Sequence, residues 1–474
     1  MEPADKSLEL TGEELRAAVD AAMARIVPHI DSLYAQPAAY VSGGAELARS
    51  LVEPLPEHGV SLEETLDLIF DRALSKSFNT AGPGYLAYIP GGGVPHTAVA
   101  ELISSAINRY VGVWIAAPGL AQLETNVVRW FCDMVGYGRD STGILTSGGS
   151  LANFTAIVAA RRSLLPEDFL SGTIYTSDQV HHSITKAAVL AGFPANRVRS
   201  IPSDGSFRIR TQNLVDSIAA DRSAGFTPFL LVGNAGTTNT GAVDDLETLA
   251  DLAREHGMWL HVDGAYGGFF MLTERGRAVL RGIERSDSVT LDPHKGLFLP
   301  YGTGSLLVRD AGALKRAHSV FADYMPPMQE EDDLVDFCQV SPELSRAFRG
   351  LRVWLPIKVN GVGPFRRNLD EKLDLAAWAT RQLKDIDGIE IVAEPQLSLL
   401  AFRLVRPGLD QDALNELNQR FLDQINAPRR VYLTATTISG IFTLRICVLS
   451  FRTHMDRMEA ALEDIREAAR ALGG

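Results

Sequence analysis

The sequence predicts an α/β protein with a largely parallel sheet, followed by a smaller C-terminal α+β unit. Apolar runs such as 228–236 ("PFLLVGNAG") and 258–263 ("MWLHVD") alternate with helical segments such as 245–257 ("DLETLADLAREHG"). This alternation is typical of parallel strands covered by helices on both faces. The C-terminal part has three further apolar runs and ends in an amphipathic segment, 454–472, which predicts the separate, smaller unit.

An acidic capping pattern marks the first helix of the chain. Thr11 and Glu14 form a capping box at the start of an amphipathic stretch over 11–30, and a second helix is predicted over 61–76. Residues 322–342 are acidic and contain prolines, so we expect a long functional loop there. We predict three segments: an N-terminal helical segment that packs in a dimer (1–79), a large α/β domain (80–355) and a small C-terminal domain (356–474).

Bulk composition excludes several function classes. The 474 residues carry a formal net charge of −13, which argues against nucleic acid or an anionic membrane as the main partner. Three separated cysteines, Cys132, Cys338 and Cys447, form neither a disulfide framework nor a zinc motif. The first residues, "MEPADKSLEL", do not resemble a signal peptide, and no uncharged apolar run reaches 18 residues. We therefore expect a cytoplasmic protein without membrane association.

A glycine-rich turn precedes a predicted helix at 146–154, "TSGGSLANF". The backbone amides of Gly148, Gly149 and Ser150 would form an anion site at the helix N-terminus, with the Ser150 hydroxyl as a further donor. The turn lacks the Gly-Lys-Ser/Thr ending of a nucleotide P-loop. An ordinary helix start is the alternative interpretation.

A carboxylate ends one of the buried strands, in "HVDGAYGG" (261–268). Asp263 could hold a heterocyclic nitrogen protonated, and the small side chain of Ala265 would let a flat ring lie close by. The alternative is that Asp263 only caps a turn. A metal pair formed by His261 and Asp263 would lack a third ligand, so we predict no metal site.

Lys295 lies in a short polar insert between two apolar runs, in "SVTLDPHKGLFL" (288–299), with His294 beside it. A buried ammonium is costly unless it is paired, but a lysine amine can form a Schiff base with a carbonyl cofactor. His181, in "DQVHHSITKA", follows a strand and could stack on a flat cofactor. Either side chain could instead point into solvent. Together with the anion turn and Asp263, however, these residues predict a pyridoxal-phosphate site.

The motifs resemble those of the group II pyridoxal-phosphate-dependent decarboxylases, the family of aromatic-L-amino-acid and histidine decarboxylases. The likeness runs from about residue 80 to 470. It is carried by "GPGYLAYIP", "GGSLAN", "SDQVHHS", "AGTTNTGAVDDL", "WLHVDGAYGG", "DPHK" and "RRVYLTATTISGIFTLRICVLSFRTH". The resemblance implies a fold-type I pyridoxal-phosphate enzyme with a seven-stranded-type sheet, which acts as a homodimer with shared active sites.

The resemblance also implies roles for individual residues. Lys295 would bind the cofactor covalently, Asp263 would pair with its pyridine nitrogen, and His181 and Ala265 would lie on its two faces. Gly149, Ser150, Thr238 and His294 would serve the phosphate or its surroundings. Tyr324, in "FADYMPP", would donate a proton from the long loop. The implied catalytic set is therefore Lys295, His181, Tyr324 and Asp263.

The substrate pocket departs from the aromatic branch of that family. Tyr88, Pro90 and Val113 are the candidate substrate-binding residues, although Val113 replaces a phenylalanine. Asp292 stands where the family usually has asparagine, and its charge should repel a phosphate unless the side chain turns away or its pKa is raised. Gly296 replaces a bulky residue.

These departures bear on the reaction that we expect. The favoured reaction is decarboxylation of an aromatic or related L-amino acid to the amine and CO2. The alternatives are an aldehyde-forming oxidative deamination or transamination, a carbon–carbon lyase acting on an amino-alcohol phosphate, and a cofactor-binding protein without turnover.

Overall fold

The computed structural model describes residues 8–319, 325–329, 331 and 333–472. The N-terminal part forms three helices: α1 (Gly12–Ser32), α2 (Gly44–Ser50) and α3 (Leu62–Asp67). The predicted capping box at the start of α1 is present, since the Thr11 hydroxyl and the Glu14 carboxylate each accept a backbone N–H of the other residue. Every residue of α1 is described and none is fully buried, so its apolar stripe is only partly covered in a single chain.

A seven-stranded sheet forms the centre of the large unit, as the sequence predicts. Its strands are β1 (Thr142–Thr146), β2 (Gly172–Ser177), β3 (Val198–Ile201), β4 (Thr227–Asn234), β5 (Trp259–Gly264), β6 (Ser288–Leu291) and β7 (Gly304–Val308). The spatial order is β1-β7-β6-β5-β4-β2-β3. Only β7 runs antiparallel to its two neighbours, and the other pairings are parallel. The carboxyl ends of β2, β4, β5 and β6 therefore meet at one edge.

Helices cover both faces of this sheet. Those of the large unit are α4 (His96–Ile107), α5 (Pro118–Val135), α6 (Gly149–Leu164), α7 (Ser183–Leu190), α8 (Thr211–Ser223), α9 (Leu246–Glu255), α10 (Glu274–Val279), α11 (Pro293–Gly296), α12 (Ala311–His318), α13 (Phe337–Val340) and α14 (Arg349–Asn360). Alternate residues of β4 enter different hydrophobic clusters: Leu231 joins one face, whereas Leu230 and Val232 join the other. Both faces are thus apolar, as expected for buried parallel strands.

The smaller C-terminal unit is built on a four-stranded antiparallel sheet. Its strands are β8 (Ile389–Ala393), β9 (Leu399–Leu404), β10 (Thr434–Ile438) and β11 (Ile441–Cys447), in the order β10-β11-β9-β8. The helices α15 (Gly363–Lys384), α16 (Gln411–Asn426) and α17 (Met455–Ala471) accompany the sheet. Ser439 and Gly440 both have positive φ, as a tight two-residue hairpin between β10 and β11 requires.

The predicted domain limits can be placed on this architecture. The limit at 355/356 falls inside α14, so the division of the chain at that point remains a prediction. α14 begins at Arg349, so the helix starts within the predicted large domain. Among the described residues, no helix combines the length and apolarity that a bilayer span requires.

Candidate active site

A cavity of about 300 Å³ lies at the carboxyl ends of the parallel strands, where ligands bind in open α/β sheets. The predicted cofactor-binding residues line it together: Gly149, Ser150, His181, Thr238, Asp263, Ala265, His294 and Lys295. The other lining residues are Ser147, Gly148, Leu151, Asn153, Ser183, Asn234, Gly236, Thr237, Tyr266 and Asp292. Segments distant in the sequence thus converge because the strand ends do.

Lys295 enters the cavity from the short helix α11, which directly follows β6. Its Nζ atom lies 2.9 Å from Oδ2 of Asp292, and Nε2 of His294 lies 3.7 Å from the same oxygen. Burial lowers the pKa of the Lys295 ammonium, but the Asp292 and Asp263 carboxylates outweigh burial and hold that pKa above its usual value. Asp292 therefore faces the lysine within the cavity instead of turning away from it.

The packing of α11 explains why a glycine follows the lysine. A Cβ atom on Gly296 would lie 2.6 Å from the Cβ of Phe269, which is too close for any side chain without a shift of the backbone. Phe269 is completely buried and stacks edge-on against Phe131. The departure at Gly296 is therefore set by core packing beneath the lysine, not by the substrate pocket.

Asp263 ends β5 and is mostly buried at the base of the cavity. Its Oδ1 accepts the backbone N–H of Ala265 at 3.1 Å, and its Oδ2 accepts Nδ2 of Asn153 at 3.0 Å. Both contacts fix the orientation of the carboxylate at the base of the cavity. A carboxylate held in this way can keep a heterocyclic nitrogen protonated.

The N-terminus of α6 lies at the cavity, where the sequence predicts an anion site. The helix begins at Gly149, and in the part of the chain that is described no side chain caps it. A Cβ atom on Gly149 would lie 3.1 Å from Oδ2 of Asp292 and 3.3 Å from the Cβ of Ala265, so only glycine fits comfortably. Uncapped amides and the helix dipole together favour a bound phosphate.

His181 lies between β2 and α7, on the rim of the same cavity. Its Nδ1 accepts the backbone N–H of Ser183 at 3.3 Å and lies 2.8 Å from the Ser183 hydroxyl. Burial lowers the pKa of this imidazole, although the Asp263 carboxylate opposes the shift. A neutral ring of this kind can lie against a flat cofactor.

Asn153 is the main residue that sequence reasoning missed. Its amide contacts Asp263, Ser183, His261 and Thr290, and its side chain is 1 % exposed. The available signal was an amide on the alanine-rich, buried face of α6. An amide there needs polar partners, and the ends of β5 and β6 provide them.

The structure places the predicted substrate-binding residues outside the lining of this cavity. Pro90 and Val113 are buried, whereas Tyr88 is half exposed. The adjoining segment does pack on the lysine turn, since a Cβ atom on Gly91 would lie 2.0 Å from the backbone oxygen of His294. The roles of Tyr88, Pro90 and Val113 remain predictions, and Tyr324 lies outside the described residues.

Comparison with known proteins identifies the family of this site. Residues 55–405 match the model of the pyridoxal-dependent decarboxylase conserved domain. The chain belongs to the pyridoxal-dependent decarboxylase family. An aromatic-L-amino-acid decarboxylase from Bacillus atrophaeus is 34 % identical over 466 residues, which cover 98 % of this chain and 97 % of the relative.

Solved structures of plant enzymes share the fold of this decarboxylase. The tryptophan decarboxylase of Catharanthus roseus, in complex with L-tryptophan, superposes with a TM-score of 0.91 at 27 % identity, covering 98 % of this chain and 100 % of the other. Oryza sativa TDC with PLP and tryptamine gives a TM-score of 0.93 at 24 % identity, with coverage of 99 % and 100 %. That second likeness supports the fold alone.

The decarboxylase uses pyridoxal 5′-phosphate, and its own residues fit this group. The cavity offers an amine for the carbonyl, a carboxylate for the ring nitrogen and an uncapped helix N-terminus for the phosphate. The enzyme is therefore a carboxy-lyase that acts on an amino acid, and the sequence-based prediction of family, fold and cofactor is confirmed.

Proposed function

We propose that this enzyme converts an L-amino acid with an aromatic or related side chain to the corresponding amine and CO2. The observation that carries the reaction is the convergence of Lys295, Asp263 and the N-terminus of α6 on one cavity. The substrate class is supported by the Bacillus atrophaeus relative, which is named an aromatic-L-amino-acid decarboxylase and matches the whole length of the chain.

The predicted cofactor-binding residues of the cavity receive their roles in this proposal. Lys295 holds the cofactor through its amine, Asp263 pairs with the ring nitrogen, and Ala265 and His181 lie on its two faces. The amide of Gly149, the hydroxyls of Ser150 and Thr238, and His294 serve the phosphate end. When bound, pyridoxal phosphate accepts the electron pair that departing CO2 leaves at Cα.

Two side chains handle the substrate itself. His181 is the candidate for holding the substrate carboxylate, because it lines the cavity and one of its ring nitrogens is not engaged by Ser183. Orientation matters because the bond that breaks must stand perpendicular to the cofactor ring. The carbon that has lost CO2 then needs a proton, and we assign the Tyr324 phenol as its donor.

The active enzyme is proposed to be a homodimer with shared sites. In the single chain, α1 leaves Leu15, Met23 and Val27 about half exposed, and Tyr88 is likewise half exposed beside the substrate segment. A second copy would cover such surfaces and could complete the substrate pocket. We place the enzyme in the cytoplasm, where its three unpaired cysteines would stay reduced.

A product screen tests the proposal. The holoenzyme is incubated with each of the twenty amino acids and with their common hydroxylated derivatives, and CO2, amine, aldehyde and hydrogen peroxide are measured, with Lys295→Ala as the inactive control. Amine and CO2 from an aromatic substrate are the expected result. Aldehyde with peroxide would overturn the proposed reaction, and turnover of only non-aromatic substrates would overturn the proposed substrate class.

A further inference from the structure

A chain of buried polar groups runs behind the cavity from Trp259 to His181. We call Trp259, Ser288, His261, Asn153, Ser183 and His181 the Trp259–His181 relay. Its successive contacts measure 2.8, 2.8, 3.1, 3.0 and 2.8 Å. Only the last three of these residues line the cavity, so the relay begins in the core of the sheet and ends at the ligand.

The direction of the hydrogen bonds is fixed at the start of the relay. An indole N–H can only donate, so Nε1 of Trp259 makes Ser288 Oγ an acceptor at 2.8 Å. The single hydroxyl proton of Ser288 is then free to go to Nδ1 of His261, also at 2.8 Å. Burial lowers the pKa of His261 well below its usual value, so its ring is neutral and its one proton is on Nε2.

The direction is fixed again, independently, by Asp263. A carboxylate can only accept, so Asn153 must turn its Nδ2 toward Asp263 and its Oδ1 away from it. Oδ1 then accepts Nε2 of His261 at 3.1 Å and the hydroxyl of Thr290 at 2.7 Å. In the opposite tautomer of His261, an unprotonated Nε2 would face the carbonyl oxygen Oδ1 of Asn153, and two acceptors would repel each other. Trp259 at one end and Asp263 at the other therefore require the same tautomer.

The relay ends by determining which nitrogen of His181 carries the proton. The second N–H of Asn153 donates to Ser183 Oγ at 3.0 Å, which leaves the Ser183 hydroxyl proton for Nδ1 of His181. The backbone N–H of Ser183 also donates to Nδ1. Around this ring, Asp263 and Asp292 favour the charged form, whereas burial, His182 and Lys295 oppose it.

We propose that the Trp259–His181 relay is a positioning device that locks His181 as its Nε2–H tautomer and holds the Asn153 amide as a donor to Asp263. One array of hydrogen bonds thus determines which atoms of His181 and Asn153 donate and which accept at the cavity. Trp259, Ser288 and His261 take part in this array although they do not line the cavity. The tautomers themselves are properties of the enzyme without substrate. Only the part that His181 and Asp263 then play in the reaction rests on the proposed function.

The tautomers can be measured directly. In the holoenzyme labelled with 15N-histidine and free of substrate, two-bond 1H–15N spectra distinguish protonated from unprotonated ring nitrogens, and His181→Gln and His261→Gln assign the two rings. The expected result is protonated Nε2 and unprotonated Nδ1 in both. A predominant Nδ1–H form of either ring in the unmodified enzyme would overturn the proposal.

Variants test whether the relay causes this state. Trp259→Phe and Asp263→Ala each remove one of the two constraints on His261, so each alone should leave the ring locked, whereas the double variant should give a mixture of tautomers. Ser183→Ala removes the hydroxyl donor to Nδ1 of His181 and should raise the share of the Nδ1–H form there, to the extent that the Ser183 backbone N–H does not hold the ring alone. Tyr137→Phe is the matched control, since it removes a buried hydroxyl that contacts Ser286 at 2.7 Å, outside the relay. Unchanged spectra in the double variant Trp259→Phe/Asp263→Ala would overturn the causal role of the relay. If both histidines keep a single tautomer but the enzyme forms no amine, the proposed function is contradicted and the relay is not.

Discussion

The Nζ atom of Lys295 lies 2.9 Å from Oδ2 of Asp292. Asp292 is 2 % exposed, and its other oxygen, Oδ1, has no hydrogen-bond partner among the described residues. Leaving a buried carboxylate oxygen without a partner costs free energy unless a nearby positive charge compensates it. Lys295 supplies that charge, so the carboxylate and the lysine depend on each other before any ligand is bound.

Removal of the Asp292 charge should make the lysine amine available at lower pH. In Asp292→Asn, burial still disfavours the ammonium but its closest counter-charge is gone, so the pKa of Lys295 should fall. Only the neutral amine attacks the cofactor carbonyl. The rate at which the apoenzyme takes up pyridoxal phosphate, followed by absorbance across pH, should therefore show a midpoint shifted to lower pH.

Asp287→Asn is the matched control for that experiment. Asp287 lies directly before β6, and Asp292 lies directly after that strand. Asp287 pairs with Arg309 at 2.5 Å and does not line the cavity. The control removes an equal charge from the neighbourhood and should leave the midpoint unchanged. Equal midpoints in Asp292→Asn and the unmodified enzyme would show that the 2.9 Å contact does not govern the amine.

The cofactor should be fixed covalently on Lys295 by borohydride. Lys295 lines the cavity, and no other lysine among the described residues does so. A mass map of the reduced holoenzyme should place the added cofactor on the peptide that contains residue 295, and Lys295→Ala should carry none. Lys186 provides the internal comparison, because it lies on nearby α7 outside the lining. Label on any other lysine would contradict the assigned site.

Asp263→Ala should separate cofactor attachment from turnover. The lysine is intact in this variant, so borohydride should still fix the cofactor, but the ring nitrogen loses its partner and turnover should fall by orders of magnitude. Asp178→Ala is the control, because Asp178 also ends a strand but is exposed and bonds to Ser203. Near-normal amine formation in Asp263→Ala would refute the role of this carboxylate.

Sequence reasoning located the cofactor residues because they follow the ends of parallel strands. Asp263 ends β5, Lys295 follows β6 and His181 follows β2, and these ends must meet at one edge of the sheet. Strand alternation also put Trp259, His261 and Asp263 on one face, as period-2 geometry requires. The local sequence pattern was enough to locate a cofactor residue wherever the order of strands in the sheet brings such residues together.

The same reasoning could not give contacts that depend on how elements pack. Asn153 reaches Asp263 and His261 only because α6 crosses the ends of β5 and β6, an arrangement that has no local sequence signature. Gly296 was interpreted as a feature of the substrate pocket, whereas Phe269, distant in sequence, determines it.

Burial of His318 should make the stability of the fold sensitive to acid. Burial lowers the pKa of His318 to about 4, and its Nε2 has no hydrogen-bond partner among the described residues. Its ordinary pKa is about 6.5, so the unfolded chain binds the proton more tightly and stability falls as pH drops from about 6.5 to 4. One such group contributes at most about 3 kcal/mol to that loss.

His318→Leu should therefore flatten the acid side of the stability profile. Unfolding temperature is measured between pH 4 and pH 7.5 for the unmodified chain and the variant. The two curves should run parallel above the ordinary pKa of histidine, and below it the unmodified chain should lose stability more steeply than the variant. His58→Leu replaces an exposed histidine and serves as the control. Parallel curves for His318→Leu and the unmodified chain would show that this ring is not held neutral by the fold.

The identity of the proton donor decides which product the enzyme releases. After CO2 has left, Cα must receive a proton, and Tyr324 is the phenol that we assign to this step. Tyr324→Phe keeps the ring but removes the acid, so CO2 release should persist while the amine is replaced by aldehyde and hydrogen peroxide formed with oxygen. Product analysis under air and under argon measures this, with Tyr301→Phe as a matched loss of a phenol. Amine formation by Tyr324→Phe at the unmodified rate would assign the proton to another group, with His181 the next to test.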